Sequence, residues 1–383
     1  MKLFQTFLFC LLLMLAIWAW CAETSDAALE GDPVVIGKYV KLYSKILSEE
    51  RTLLISYPDG YENSTQTYPV LYVLDGDVGY LVDAIAAARI AAQGYFPEMI
   101  VVAIANTKRN RDMLPGSDTA PKFLRFIAEE LFAFIGKKFR VDEQKILYGA
   151  SNAGLFVVFS FLESPNLFTG YIASSPTICW RQEVMTKKAK ELMEKNINLN
   201  QFLYIIYGDK DFKEVPETLT AFLPLLESLR SKGLRLQTKY LPEAEHVPLG
   251  SLQNGLLCMY EGYKYPDEKH KTEGLDALKA YYDNYSKKIG YPIKPPQAAI
   301  SRLGQWLLLE KKDFKASGAV FAEALQQYPG DFLCTTMLAI SYFNDRQLEL
   351  AKKYYYEAKE IMNRTKDAEP PFAEWKEMKK NFE

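Results

Sequence analysis

Short apolar runs and amphipathic stretches alternate along most of the chain, and that alternation sets the first expectation. Tyr68-Pro-Val-Leu-Tyr-Val-Leu74 is apolar throughout and ends at Asp75-Gly76-Asp77, which reads as a buried strand entering a tight turn. The runs 99–104, 146–148, 171–173, 202–207 and 237–241 read the same way. Between them lie segments of helical spacing: the alanine-rich stretch from Val82 to Ala92, the amphipathic stretch from Lys122 to Ile135, and the apolar stretch from Leu155 to Leu162. Strands alternating with helices predict an α/β domain built on a mainly parallel sheet covered on both faces.

From about residue 270 the pattern changes to helices alone. The set Ser317, Phe321 and Ala324 recurs 34 residues later as Ala351, Tyr355 and Ala358. A small residue, an aromatic and an alanine at that step resemble a tetratricopeptide-like repeat. Leu303-Gly304 and Leu338-Ala339 then belong to the first helices of the two units. The first unit carries one extra residue near Lys311-Lys312. Pro370-Pro371 precedes a short polar helix from Phe372 to Asn381 that serves as a cap. Two units are few for a free-standing solenoid, so this module is expected to pack against the larger domain. A generic pair of helical hairpins is the plainer alternative. The expected division is a domain over residues 34–270 and a helical module over 290–381.

The N-terminus places Lys2 before an apolar run from Leu3 to Trp20, then Ala19-Trp-Cys21. Residues 1–22 therefore read as a signal peptide, with an uncleaved membrane anchor as the alternative. Either reading implies that the remainder is exported, to the periplasm or the exterior. A formal net charge of -2 supplies no basic field, which argues against a nucleic-acid partner. Cys179, Cys258 and Cys334, the cysteines beyond that segment, have neither metal-ligand spacing nor the look of a disulfide framework, so free thiols are expected. With two histidines in the chain, His246 and His270, no His-rich metal site and no cofactor is expected.

That scarcity also narrows any imidazole chemistry to two residues. The stretch Tyr148-Gly-Ala-Ser-Asn-Ala-Gly154 follows a strand and precedes a helix. A nucleophile elbow usually reads Gly-x-Ser-x-Gly. Here Ala153 holds the fifth position and the glycine follows at Gly154, but the neighbours of Ser151 stay small, as a strained turn requires. After the strand 202–207 comes Gly208-Asp-Lys-Asp211, and after the strand 237–241 comes His246. The order Ser, acid, His is the one such hydrolases use. Ser151 is then the nucleophile, His246 the general base and Asp211 the orienting acid, with Asp209 as the competitor and a turn cap as its other reading. The backbone N–H of Asn152, and that of Gly76 or Asp77, would hold the oxyanion. His270, in the polar run Asp267-Glu-Lys-His-Lys271, reads as solvated.

These residues resemble the putative-esterase family of α/β-hydrolases, which includes esterase D and the ferric-enterobactin esterases. The resemblance runs from about Leu47 to Tyr263. It rests on the stretches 46–51, 68–76, 109–115 and 149–156, on Ser175-Pro176 with Trp180, and on His246-Val-Pro-Leu-Gly-Ser-Leu252 with Gly255-Leu256. It implies the α/β-hydrolase fold, a nucleophile at Ser151 and a base at His246. The acid is less uniform in the family, so Asp211 stands less firmly. A tetratricopeptide tail behind such a domain is similar to an architecture among bacterial members. The expected activity is cleavage of carboxylic esters, of siderophore-like, aryl or acyl type, with Arg111 and Trp180 as candidate pocket residues. Two alternatives stay open: an acyltransferase of the same fold, similar to mycolyltransferases, and a non-catalytic scaffold that recruits a protein partner through the helical repeats.

Overall fold

A computed structural model describes residues 35–383 apart from 59, 64, 78–79, 91–93, 117 and 366–367. The expected signal peptide lies outside the described residues. Eight strands make one sheet: β1 (Lys38–Ser44), β2 (Glu49–Ser56), β3 (Tyr68–Val73), β4 (Ile100–Ile104), β5 (Val141–Ala150), β6 (Gly170–Ser174), β7 (Phe202–Lys210) and β8 (Arg235–Glu245). Their order is β1-β2-β4-β3-β5-β6-β7-β8. β1 and β2 pair antiparallel, as do β2 and β4, and every other pair is parallel. This is the mainly parallel sheet that the sequence pattern predicts.

β3, β4 and β6 are buried along their whole length, which is why they read as unbroken apolar runs. β1 and β2 escaped that reading. β1 is an edge strand that leaves most of its side chains exposed or half-buried, and β2 begins with Glu49-Glu-Arg51. β5 and β8 also extend beyond their apolar centres, because ladder hydrogen bonds continue where side chains turn polar.

One face of the sheet is covered by Asn152–Glu163, Gln182–Glu194, Glu214–Ser228 and a helical run from Thr119 to Lys138, which passes through a π-helical stretch at Phe126–Leu131. Asn152–Glu163 is apolar all round and buried from Ala153 to Leu162. It runs directly beneath the sheet. Tyr80–Ile90 and Ser251–Met259 cover the other face.

That second core does not stop at the sheet domain. It continues through Tyr260, Tyr263 and Tyr282 to Ile300, Leu303, Phe321, Leu338 and Tyr355 of the C-terminal helices. These helices, Gln297–Trp306, Phe314–Gln327, Phe332–Asn344 and Leu348–Thr365, form two hairpins, followed by Ala373–Phe382. Both sets of recurring residues are buried: Ser317, Phe321 and Ala324 in one helix, Ala351, Tyr355 and Ala358 in the other. Gly304 has a steric reason. A Cβ there would stand 2.6 Å from the Phe321 ring. Asp313 and Asp331 cap the helices that follow them by accepting from the N–H of Ala316 and Cys334. The extra residue expected near Lys311-Lys312 coincides with a π-helical stretch at Leu307–Lys311, the usual way a helix absorbs a one-residue insertion.

His270 corrects the sequence reading. It is 4% exposed, lies edge-on to the Tyr265 ring at 4.7 Å, and sits on the short helix Asp267–Thr272, which packs against Gln297–Trp306. Asp267, Glu268 and Lys271 of its polar run stay exposed, while the imidazole is buried against the Tyr265 ring.

Candidate active site

The parallel strands all end on one edge of the sheet, and the loops after β3, β5, β6, β7 and β8 gather there. β5 ends at Ala150, and Asn152 begins the next helix. Ser151 joins them with φ 59 and ψ -122, a conformation that an L-residue adopts only under constraint. Its N–H donates to the Ser174 carbonyl at 2.8 Å, and its own carbonyl accepts from Leu155 at 2.9 Å. The departure at Ala153 has a local explanation. A Cβ at Gly149 would lie 2.6 Å from the Ala153 backbone, and one at Gly154 would lie 2.8 Å from the Ser174 carbonyl. The tightest approaches therefore fall on Gly149 and Gly154, and the buried Ala153 methyl is tolerated between them.

Asp211 follows β7 directly, and its side chain is fully buried. Oδ1 accepts from the Phe212 N–H at 2.7 Å and lies 2.6 Å from His246 Nδ1. Asp209, the competitor, is exposed and stands beside Tyr240. His246 follows β8, with its side chain 23% exposed and the Phe212 ring 4.6 Å from its own. With Nδ1 engaged by Asp211, Nε2 is the nitrogen left for chemistry.

β8 lies three strands from β5, so the His246 loop must reach back across the sheet edge. Two buried serines at the end of β6 hold it there. Ser175 Oγ accepts from the Val247 N–H at 2.9 Å, and Ser174 Oγ donates to Ser251 Oγ at 2.8 Å. Because the Ser174 carbonyl also receives the Ser151 N–H, this dipeptide ties the serine turn to the histidine loop. Val247, a β-branched residue at φ 59, shows how tightly the loop is drawn. A recess of about 510 Å³ opens beside it, lined by Tyr148, His246, Val247, Pro248 and Leu249 among others.

The remaining candidates separate. The Gly76 N–H donates to the Ile104 carbonyl at 2.9 Å, and a Cβ there would strike Ala103, so this glycine serves strand-end packing. Asp77 follows it, with its carboxylate accepting from the Asn106 N–H at 3.1 Å. Asn152 stands at the first helical position, its side chain fixed by Asn110 at 3.2 Å and Thr177 at 2.6 Å. Trp180, on the short helix Ile178–Arg181, is 61% exposed. Arg111 has its guanidinium occupied: two nitrogens bind Glu49 at 2.9 and 2.5 Å, and Nε binds Asp112 at 2.7 Å. These hydrogen bonds hold its pKa above the usual arginine value, and the same carboxylates neutralise buried Arg51. Among the described residues no group of His, Cys, Asp and Glu is arranged to hold a metal. Cys179, Cys258 and Cys334 are free.

A sheet of this order, carrying a strained serine after β5, a buried acid after β7 and a histidine after β8, is an α/β-hydrolase fold. Residues 44–246, more than half of the chain, match the family model described as Putative esterase, and the chain belongs to that family. It is 29% identical over 175 residues to ferri-bacillibactin esterase BesA of Bacillus subtilis, covering 38% of this chain and 61% of the relative. It is 30% identical over 169 residues to siderophore triacetylfusarinine C esterase of Aspergillus fumigatus, covering 38% and 58%. The chain thus spans about three fifths of the length of these curated relatives. Among solved structures, an IroE-like serine hydrolase from Shewanella oneidensis shares the fold, with a TM-score of 0.64, 23% identity, and coverage of 74% of this chain and 98% of that one.

Proposed function

We propose that the protein is an exported serine esterase that hydrolyses carboxylic esters of siderophore type. The observation that carries this reading is the Asp211–His246 pair at 2.6 Å, on the sheet edge where Ser151 is held in a strained turn. In the proposed mechanism His246 Nε2 takes the Ser151 hydroxyl proton as Oγ bonds to the acyl carbon. The Asn152 and Asp77 N–H groups receive the developing oxyanion. Asp211 holds the ring tautomer and stabilises the imidazolium. His246 then passes its proton to the departing alkoxide as the ester C–O bond breaks. Water, deprotonated by the same histidine, releases the acid and restores the serine.

The siderophore assignment is supported by what the curated relatives are named for, and by exposed aromatic rings at Phe212, tilted against the His246 ring at 4.6 Å, and at Trp180. The apolar N-terminal run from Leu3 to Trp20 supports export. The test is turnover of a siderophore trilactone beside p-nitrophenyl and aryl esters, with Ser151→Ala as control. The expected result is cleavage of both classes by the wild type alone. An acyl product that forms only with an added alcohol acceptor would mark a transferase, and the absence of both reactions would end the enzymatic reading.

A further inference from the structure

Arg109 opens the short helix Arg109–Met113 that follows β4. Its Nε donates to Asp75 Oδ1 at 2.8 Å and its Nη2 to Asp75 Oδ2 at 2.7 Å, a two-pronged ion pair. Asp75 is 1% exposed and sits at φ 55, just past the end of β3. The same Nη2 lies 3.4 Å from the carbonyl oxygen of Ala150. Asn106 completes the set, with its Nδ2 donating to Asp75 Oδ1 at 2.8 Å and to Asp77 Oδ1 at 3.1 Å.

One guanidinium thus joins two separate segments of the chain, holding one by the Asp75 carboxylate and the other by the Ala150 carbonyl. Asp77 lies two residues beyond Asp75, and Asn152 lies two residues beyond Ala150. These are the residues whose N–H groups would hold the oxyanion under the esterase reading, on which this inference rests. Oxyanion stabilisation depends on donors fixed in advance, and a displacement of about 1 Å costs roughly 100-fold in rate. Neither turn is relaxed, since Asp75 and Ser151 both have positive φ. They follow neighbouring strands, β3 and β5, whose ladder ends with the Leu74 N–H on the Tyr148 carbonyl at 3.0 Å, short of Asp75 and Ser151, so a side chain is left to tie the two turns beyond it.

We infer that Arg109 is a positioning residue: by clasping Asp75 and the Ala150 carbonyl together it sets the separation of the two oxyanion donors. Lysine cannot replace it. An ammonium group is a point charge and cannot span both carboxylate oxygens and a carbonyl at once. The side chain of Arg109 is 34% exposed, so direct contact with substrate is the competing role, and the two roles differ kinetically.

The test uses the full protein and its Arg109→Lys, Arg109→Gln and Asp75→Asn variants, with p-nitrophenyl butyrate as substrate. Active sites are counted with a fluorescent alkyl phosphonate. The lysine variant keeps the charge and most of the volume, so it is the one expected to melt within a few degrees of wild type. The expected result is a fall in kcat per titrated site of roughly 30- to 300-fold in each variant, with KM within about threefold. The Arg109→Gln/Asp75→Asn double variant should be no slower than either single one, because both changes open the same clasp. A lower titre with unchanged kcat per site would reduce Arg109 to a purely structural role and overturn the inference. So would a rise in KM with kcat kept, or losses that multiply in the double variant. If the wild type neither turns over esters nor labels at Ser151, the esterase reading fails and takes this inference with it. An active wild type with equally active Arg109 variants sinks the inference alone.

Discussion

His246 Nδ1 and Asp211 Oδ1 stand 2.6 Å apart, with the carboxylate buried and the ring partly open to solvent. The pairing fixes which ring nitrogen carries the proton, and the carboxylate that does so is shielded from solvent. Asp211→Asn keeps the shape but offers an amide that favours the wrong tautomer. The expected outcome is a loss in kcat of roughly 10²- to 10⁴-fold with little change in the melting curve. Asp209→Asn, by contrast, should leave the rate within about twofold. Steady-state kinetics on both variants check the assignment, and equal losses would refute it.

Ser151→Ala should abolish ester turnover and covalent labelling by a phosphonate while the fold persists. The hydroxyl contributes a nucleophile and little packing. Mass spectrometry of the labelled wild type should place the adduct on the peptide that contains Ser151. An adduct elsewhere, with activity lost, would move the nucleophile.

Gly149→Ala places a methyl 2.6 Å from the Ala153 backbone, which cannot move without shifting the helix Asn152–Glu163. The expected outcome is a destabilisation of about 1–3 kcal/mol, together with a collapse of kcat as the serine turn shifts. Urea denaturation beside activity measures both. A stable and active variant would show that the turn is looser than its geometry implies.

Burial, and next the nearby Arg302, push the His270 imidazole from 6.5 down to about 4. Lys264 opposes the charge as well, and Asp267 favours it. Above pH 6.5 the ring is neutral in both folded and unfolded chains and adds no pH dependence. Below that, the unfolded chain binds a proton that the folded one refuses until about pH 4. His270 therefore costs stability progressively between about pH 6.5 and 4, and the loss levels off beneath. Melting temperatures at closely spaced pH values should fall across that window, and His270→Gln should flatten the slope. An unchanged slope would place the acid sensitivity elsewhere.

Removing residues beyond about 290 should yield an aggregating or much less stable protein. The tail completes a core that starts on the sheet at Leu71, Val73 and Ile146. The triad candidates all lie before it, so any soluble fraction should still cleave p-nitrophenyl acetate. A soluble truncation melting like the full chain would show that the helices are an appendage.

What the sequence disclosed, and what it withheld, follow from how far each interaction reaches along the chain. Ser151 was legible because a strand, a run of small residues and a helix are consecutive, and the constraint on its backbone is local. Asp211 and His246 were legible from their order behind predicted strands. The choice of Asp211 over Asp209 needed the loop geometry that turns one carboxylate inward. The Ser174–Ser175 tie, the Arg109–Asp75 clasp and the occupation of Arg111 by Glu49 join residues far apart in sequence, and no periodicity encodes them. β1 and β2 were missed because an edge strand needs little apolar surface. The 34-residue spacing of Phe321 and Tyr355 was legible because a repeat is itself one-dimensional, while the burial of both rings is visible only in the structure.

The continuous core between sheet and tail also governs how the chain comes to be folded. Residues are made in order, so the sheet, its triad candidates and the tyrosines at 260, 263 and 282 all exist before the helices from Gln297 onward do. Until those helices arrive, a broad tyrosine-rich surface faces solvent, and the apolar faces of the hairpins have no partner either. Unpaired surface of this kind is what drives misassembly in larger proteins. The last quarter of the sequence is thus expected to act as the closing step of assembly, and a condition that delays or trims it should leave the sheet domain with its triad candidates in place and part of its core open to solvent.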